Sequence, residues 1–67
     1  HGKFLKILKK PGERVEKGEV ILVMESMKME THVSSGYSGV VTAMLCREGG
    51  LYVGKQKPFE IEVDGGQ

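Results

Sequence analysis

At 67 residues the chain has room for one small domain, whose core is marginal without a disulfide, a metal or close packing. Its one cysteine, Cys46, excludes an internal disulfide and a cysteine-rich zinc site, and suits a reducing compartment. The 10 basic and 9 acidic residues leave a net charge of +1 and are spread along the chain, with no basic block to mark a nucleic-acid partner, no run of membrane-spanning length and no signal-peptide pattern.

Short runs rich in Val, Ile and Leu, punctuated by glycine, predict an all-β chain of strands and tight turns. The first strand is expected over residues 3–9, KFLKILK, and Pro11-Gly12 turns the chain after it. A second turn falls in EKGE, 16–19, and the most apolar strand, VILVM, follows over 20–24. ETHV, 30–33, reads as a return strand and SSGYSG, 34–39, as a loop. VVTAMLC, 40–46, is a further strand, within which Cys46 alternates with Met44 and is expected to pack in the core. EGG, 48–50, makes a turn, FEIEV, 59–63, alternates as a last strand, and residues 64–67 read as a frayed tail.

A weak internal repeat runs through these elements. At an offset of 37 residues, Gly2 falls on Gly39, Leu8 on Leu45, Gly12 on Gly49 and Glu25 on Glu62, while Phe4 and Ile7 meet Val41 and Met44. Two like β halves that cannot bury a face alone are expected to close on each other as a flattened barrel, a sandwich of two antiparallel sheets with quasi-two-fold symmetry. The match fails at Gly18, which falls on Lys55, with Gly54 one place earlier. A local shift or bulge is expected there.

Between the two strands of the first half lies VMESMKMETH, residues 23–32. Pairing 20–25 with 30–33 leaves Met27-Lys28 as a two-residue loop, with Ser26 opposite Met29, Glu25 opposite Glu30 and Met24 opposite Thr31. Such loops need positive φ and prefer Asn-Gly, and facing glutamates repel by roughly 0.2–1 kcal/mol. A tip that breaks two local rules is a candidate functional site. A lysine in a turn is most often a solvated charge, and methionines are most often core. Here residues on both sides of one turn cannot easily both reach the core, so at least one of Met27 and Met29 should be exposed. The pattern offers Lys28 to another protein with a hydrophobic collar and an acidic flank.

ESMKME resembles the attachment motif of biotin carboxyl carrier (biotinyl) domains, Glu-Ala-Met-Lys-Met-Glu, with Ser26 in place of alanine. The resemblance extends through Gly12, Val15 and Gly18 and into SGVVTAMLCREGG, and so over essentially the whole chain. It implies a barrel-sandwich hybrid fold, all-β, with the modified lysine at an exposed hairpin tip. It also implies that a biotin protein ligase joins biotin to Lys28 through an amide. A biotin carboxylase would then load the cofactor, and a carboxyltransferase would unload it. The domain itself is then a tethered carrier and not an enzyme. Lys28 is the implied attachment point, Met27 and Met29 shape the tip, and Glu25 and Glu30 flank it. Residues 1–67 would form one biotinyl domain, monomeric in isolation and a piece of a larger carboxylase, in the cytoplasm or a mitochondrial matrix.

The chain departs from the family in starting at HGKF, so that part of the first strand reads as missing, and in having SSGYSG where a proline-containing loop is common. The nearest alternative is a lipoyl carrier domain of a 2-oxo acid dehydrogenase complex, typically with Asp-Lys-Ala at the tip. Another is an unmodified lipoyl-like interaction module, which lacks an acceptor lysine. An independent enzyme is disfavoured, since His1, His32 and Cys46 form no recognisable catalytic or metal-binding pattern.

Overall fold

Residues 2–66 are described by a computed structural model, and its most buried strand is the most apolar run of the sequence. Ile21, Leu22 and Val23 lie in succession in the interior. Strict alternation is broken there because the pairing with the return strand slips between Val20 and Leu22, a bulge that turns an extra side chain inward. The strands are β1 (Gly2–Ile7), β2 (Arg14–Val15), β3 (Val20–Ser26), β4 (Met29–Ser34), β5 (Gly39–Met44), β6 (Leu51–Tyr52) and β7 (Phe59–Val63). They form two antiparallel sheets, ordered β4-β3-β1-β6 and β2-β5-β7, the flattened sandwich expected from the sequence. Val15, Ile21 and Val41 are fully buried, with Met44, Phe59 and Ile61 packed on them. Phe4, also buried, meets Tyr52 edge to face at 5.9 Å.

The two halves repeat residue by residue. Moving β1 and β2 by 37 positions gives the bounds of β5 and β6. The pairs Lys3–Glu25, Phe4–Met24, Lys6–Val23 and Ile7–Leu22 become Val40–Glu62, Val41–Ile61, Ala43–Glu60 and Met44–Phe59. Even the bulge recurs, between Phe4 and Lys6 and between Val41 and Ala43. Each half's short strand pairs with the other half: β6 with β1, and β2 with β5. The backbone bonds of Phe4 with Gly49 and Gly50 are matched by those of Val41 with Gly12 and Glu13. β3 is covered on its outer edge by β4, whereas β7 has no outer neighbour among the described residues.

The repeat also explains one glycine pair. A Cβ on Gly39 would stand 2.1 Å from the Glu62 carbonyl oxygen, and one on Gly2 would stand 2.8 Å from that of Glu25. At both places backbone meets backbone too closely for any side chain.

Several sequence expectations are corrected. β2 and β6 were not anticipated, because two residues are too few to display a period. β1 and β5 each begin one residue earlier and end two residues earlier than expected. Cys46 therefore lies beyond the strand and is only partly buried, its Sγ 3.9 Å from Met44 Sδ, with burial pushing its thiol pKa up. The local shift expected near Lys55 is present in the backbone, where Gly54 takes positive φ (67°) and its counterpart Lys17 does not, but it does not displace the register, since pairing on both sides keeps the same offset. Lys55 itself adopts φ 36°, in the left-handed region that Gly18 occupies at φ 91°. Of the tail expected over 64–67, Asp64 is anchored. Its N–H donates to the Ser38 carbonyl, and its carboxylate pairs with Arg14, with Nη1 3.0 Å from Oδ1. Positions 1 and 67 lie outside the described residues.

Gly39→Ala is expected to cost at least about 2 kcal/mol, a fall in Tm on the order of 10 °C by thermal circular dichroism. Gly36→Ala, with no atom within 4 Å of the added Cβ, should leave Tm nearly unchanged. Acid should release Asp64. Hydrogen bonding to Arg14 holds its carboxyl below the ordinary aspartate range, so the tether is complete above the unfolded value of about 3.9 and is lost as pH falls through the lower folded one. Amide exchange at Asp64 should accelerate only in that acidic window. In Arg14→Gln it should already be fast at pH 7.

Candidate functional site

The register across β3 and β4 is the one read from the sequence: Met24 opposite Thr31, Glu25 opposite Glu30 and Ser26 opposite Met29. That leaves Met27 and Lys28 as the two central residues of the turn, with φ of 51° and 68°. A type I′ hairpin requires positive φ at both positions, because only then does the turn follow the twist of its strands. For residues with a Cβ this conformation costs roughly 1–2 kcal/mol each, so the tip is held by the six-pair ladder behind it. The reward is geometric. A two-residue turn has no slack, so the direction of the Lys28 side chain is set by the sheet.

The collar is exposed on both sides. Met27 is 91% exposed and Met29 69%, where the sequence required only one of them to be. Lys28 is exposed, and among the described residues no hydrogen bond or ion pair engages its Nζ. Glu25 lies between Glu30 on β4 and Lys3 on β1, so the residue opposite it on its other side is a cation. All five residues singled out in the sequence, Glu25, Met27, Lys28, Met29 and Glu30, thus come together on this hairpin. A free primary amine on a rigid turn suits acylation by an enzyme that grips the tip. His32, on the same hairpin, is exposed, and among the described residues no three His, Cys, Asp or Glu side chains are placed to hold a metal.

Sequence reasoning missed one side of the site. A groove of about 610 Å³ runs from Met27 and Lys28 to Gly2 and to Leu51, Tyr52 and Val53. Leu51 and Val53 are 73% and 60% exposed. They come from the other half of the chain and reach the tip only because β6 pairs with β1. The repeat held the signal: LYV at 51–53 stands where the first half has RVE at 14–16.

Comparison with known proteins places this geometry. A family profile described as "Biotin-requiring enzyme", the biotin/lipoyl family, matches residues 1–58. The chain is 38% identical over 48 residues to the Biotin/lipoyl attachment protein of Bacillus subtilis, covering 72% of this chain and 66% of that one. It is 40% identical over 48 residues to the Biotin carboxyl carrier protein of acetyl-CoA carboxylase from Solanum lycopersicum, covering 72% and 69%. It is also 32% identical over 66 residues to the Dihydrolipoyllysine-residue acetyltransferase component of pyruvate dehydrogenase complex from Pseudomonas aeruginosa, covering 98% of this chain but 12% of that protein. Among solved structures, the lipoyl domain of the 2-oxoglutarate dehydrogenase complex from Azotobacter vinelandii superposes with a TM-score of 0.84 at 26% identity, covering 96% of this chain and 81% of that one. The fold, the exposed hairpin and these likenesses agree: the chain belongs to the biotin/lipoyl attachment family of carrier domains.

Proposed function

We propose that this domain is a biotin carboxyl carrier, with biotin amide-linked to Nζ of Lys28. The reading is carried by one observation: a lysine with no charge partner among the described residues, at the centre of a strained two-residue turn, between two exposed methionines. The residues fit the cofactor. Lys28 supplies the primary amine, and loss of its proton on amide formation lowers the formal net charge from +1 to 0. Met27 and Met29 present soft apolar surface to a biotin protein ligase, and Glu25 and Glu30 give the tip its acidic flank. When bound, biotin supplies a ureido nitrogen that holds a carboxyl group between a biotin carboxylase and a carboxyltransferase. The domain's part is to orient the arm and keep it at high local concentration at both sites. Met-Lys-Met at the tip favours biotin, and named carboxylase relatives agree with it, among them Pyruvate carboxylase of Bacillus subtilis at 35% identity over 48 residues.

A second reading puts lipoate on the same lysine, and the likeness to a solved lipoyl domain favours it. Intact mass after co-expression with a biotin ligase or with a lipoate ligase separates the two. A gain of one biotinyl group is expected. A gain of lipoyl alone would overturn the biotin assignment.

Lys28→Arg keeps the charge but removes the primary amine, so biotinylation should vanish while the circular dichroism spectrum is retained. Exchanging Met27 and Lys28 keeps the composition and exposure of the tip but moves the amine one place along the turn. Streptavidin gel shift should then show little or no modification, whereas full modification would mean that any accessible lysine near the tip suffices.

The strain of the turn gives a separate measurement. Replacing Met27-Lys28 by Asn-Gly fits the type I′ turn and should raise stability by about 1 kcal/mol, with a Tm gain of roughly 5 °C, while abolishing modification. An unchanged or lower Tm would mean that the left-handed residues carry no cost.

A further inference from the structure

The short strands at the two ends of the quasi-two-fold fold share one backbone frame but carry opposite chemistry. At one end Arg14 opens β2 and Glu16 follows it, and Arg14 pairs with both Glu16 and Asp64. At an offset of 37, Arg14 corresponds to Leu51, Glu16 to Val53, and Asp64 to Met27. The ion-paired cluster at one end is therefore replaced by three apolar side chains at the other, all largely exposed. The fold does not need apolar residues at these places, since the first half builds the same strand with charged ones. Exposed leucine and valine carry a hydration cost that their charged counterparts avoid. The apolar set occurs at the end that bears Lys28, and Lys28 is itself part of the groove wall.

We propose that this groove is a resting site for the bicyclic ring of biotin carried on Lys28, with Met27, Leu51 and Val53 as its apolar contacts. The proposal rests on the biotin reading above. The groove's volume of about 610 Å³ lies within the range of small-ligand sites, roughly 300–1,000 Å³, so a ring of that size fits. Attachment of the arm to a wall residue makes the contact intramolecular, so a weak apolar affinity is enough to populate it. Gly2 lies beside the groove, on the strand that pairs with β6, and contributes no side chain to block it. Docking there would shield the ring from water and from other proteins until a partner enzyme draws it out. Leu51 and Val53 are thus positioning residues for the resting arm.

The test is heteronuclear NMR of the isotope-labelled domain before and after biotinylation, with mass spectrometry to confirm loading. Methyl shifts should change at Leu51 and Val53, with amide shifts at Gly2 and Tyr52, and nuclear Overhauser contacts should link the ring to both methyl sets. Lys28→Gln, which removes the charge without adding a ring, sets the reference for the wall residue alone, and the shifts at Leu51 and Val53 on loading should exceed those it produces. Leu51→Ser with Val53→Ser should abolish the ring contacts in the loaded domain while the amide spectrum of β3 and β5 stays native. Shifts confined to residues 26–30 on loading would overturn the proposal. So would shifts at Leu51 and Val53 that appear only when the ligase is added, which would assign the groove to that enzyme. If the ligase leaves the mass unchanged, the biotin reading fails by itself. The groove is then tested on Lys28→Cys in a Cys46→Ser background, alkylated with a biotin maleimide, with the same shifts expected.

Discussion

Reciprocal pairing of the two halves is the constraint on which everything else depends. Neither half could bury its apolar face alone, and a chain of 67 residues has little interior to spend on mistakes of register. The lock is the exchange of short strands, β2 onto β5 and β6 onto β1. It brings Val15 and Tyr52 to equivalent places. Val15 is fully buried, and Tyr52 stacks edge to face on Phe4. Gly2 and Gly39 are needed at the same crossings, where a carbonyl of the neighbouring strand comes closer than any Cβ allows.

Symmetry of the backbone leaves the side chains free to differ, and the differences sort by function. The first half is sewn with charges: Lys9 Nζ lies 2.8 Å from Glu19, and Arg14 holds Asp64. At the positions equivalent to Lys9 and Glu19 the second half has Cys46 and Gln56. Both lie beside a separate pocket, and the side-chain oxygen of Gln56 is buried with no hydrogen-bond partner among the described residues. Exposed ion pairs of this kind contribute little each. Their value here is placement, since Arg14 fastens the end of the last strand while the corresponding end of β3 runs on into an open hairpin.

The hairpin tip is where local and global preferences conflict. Met27 and Lys28 are poor residues for left-handed backbone, and the sheet behind them imposes it. At the position equivalent to Lys28 stands Gly65, which takes φ 74° without strain, while Asp64, equivalent to Met27, is not left-handed and opens a short 3-10 turn in place of a hairpin. At one end glycine takes the left-handed position that suits it, and at the other a lysine takes it. Strain at the second is the consequence of putting an amine where glycine fits best.

The sequence by itself determined the strand class, the offset between the halves, the hairpin register and the five residues at its tip. These are local properties: apolar runs, turn glycines and a two-residue spacing are all written within a few positions of one another. The register followed from placing a two-residue loop at Met27-Lys28, and the ladder across β3 and β4 has those same partners. The tertiary structure alone decided what was non-local. β2 and β6 exist only because a distant strand edge pairs with them, and two residues have no period to read. Cys46 left the core because β5 ends at Met44, and Asp64 left the tail because Arg14, fifty positions earlier, reaches it. Leu51 and Val53 became neighbours of Lys28 for the same reason: the sheet that joins them is built from both halves of the chain, and hydrogen bonding across that crossing has no signature in any one stretch of sequence.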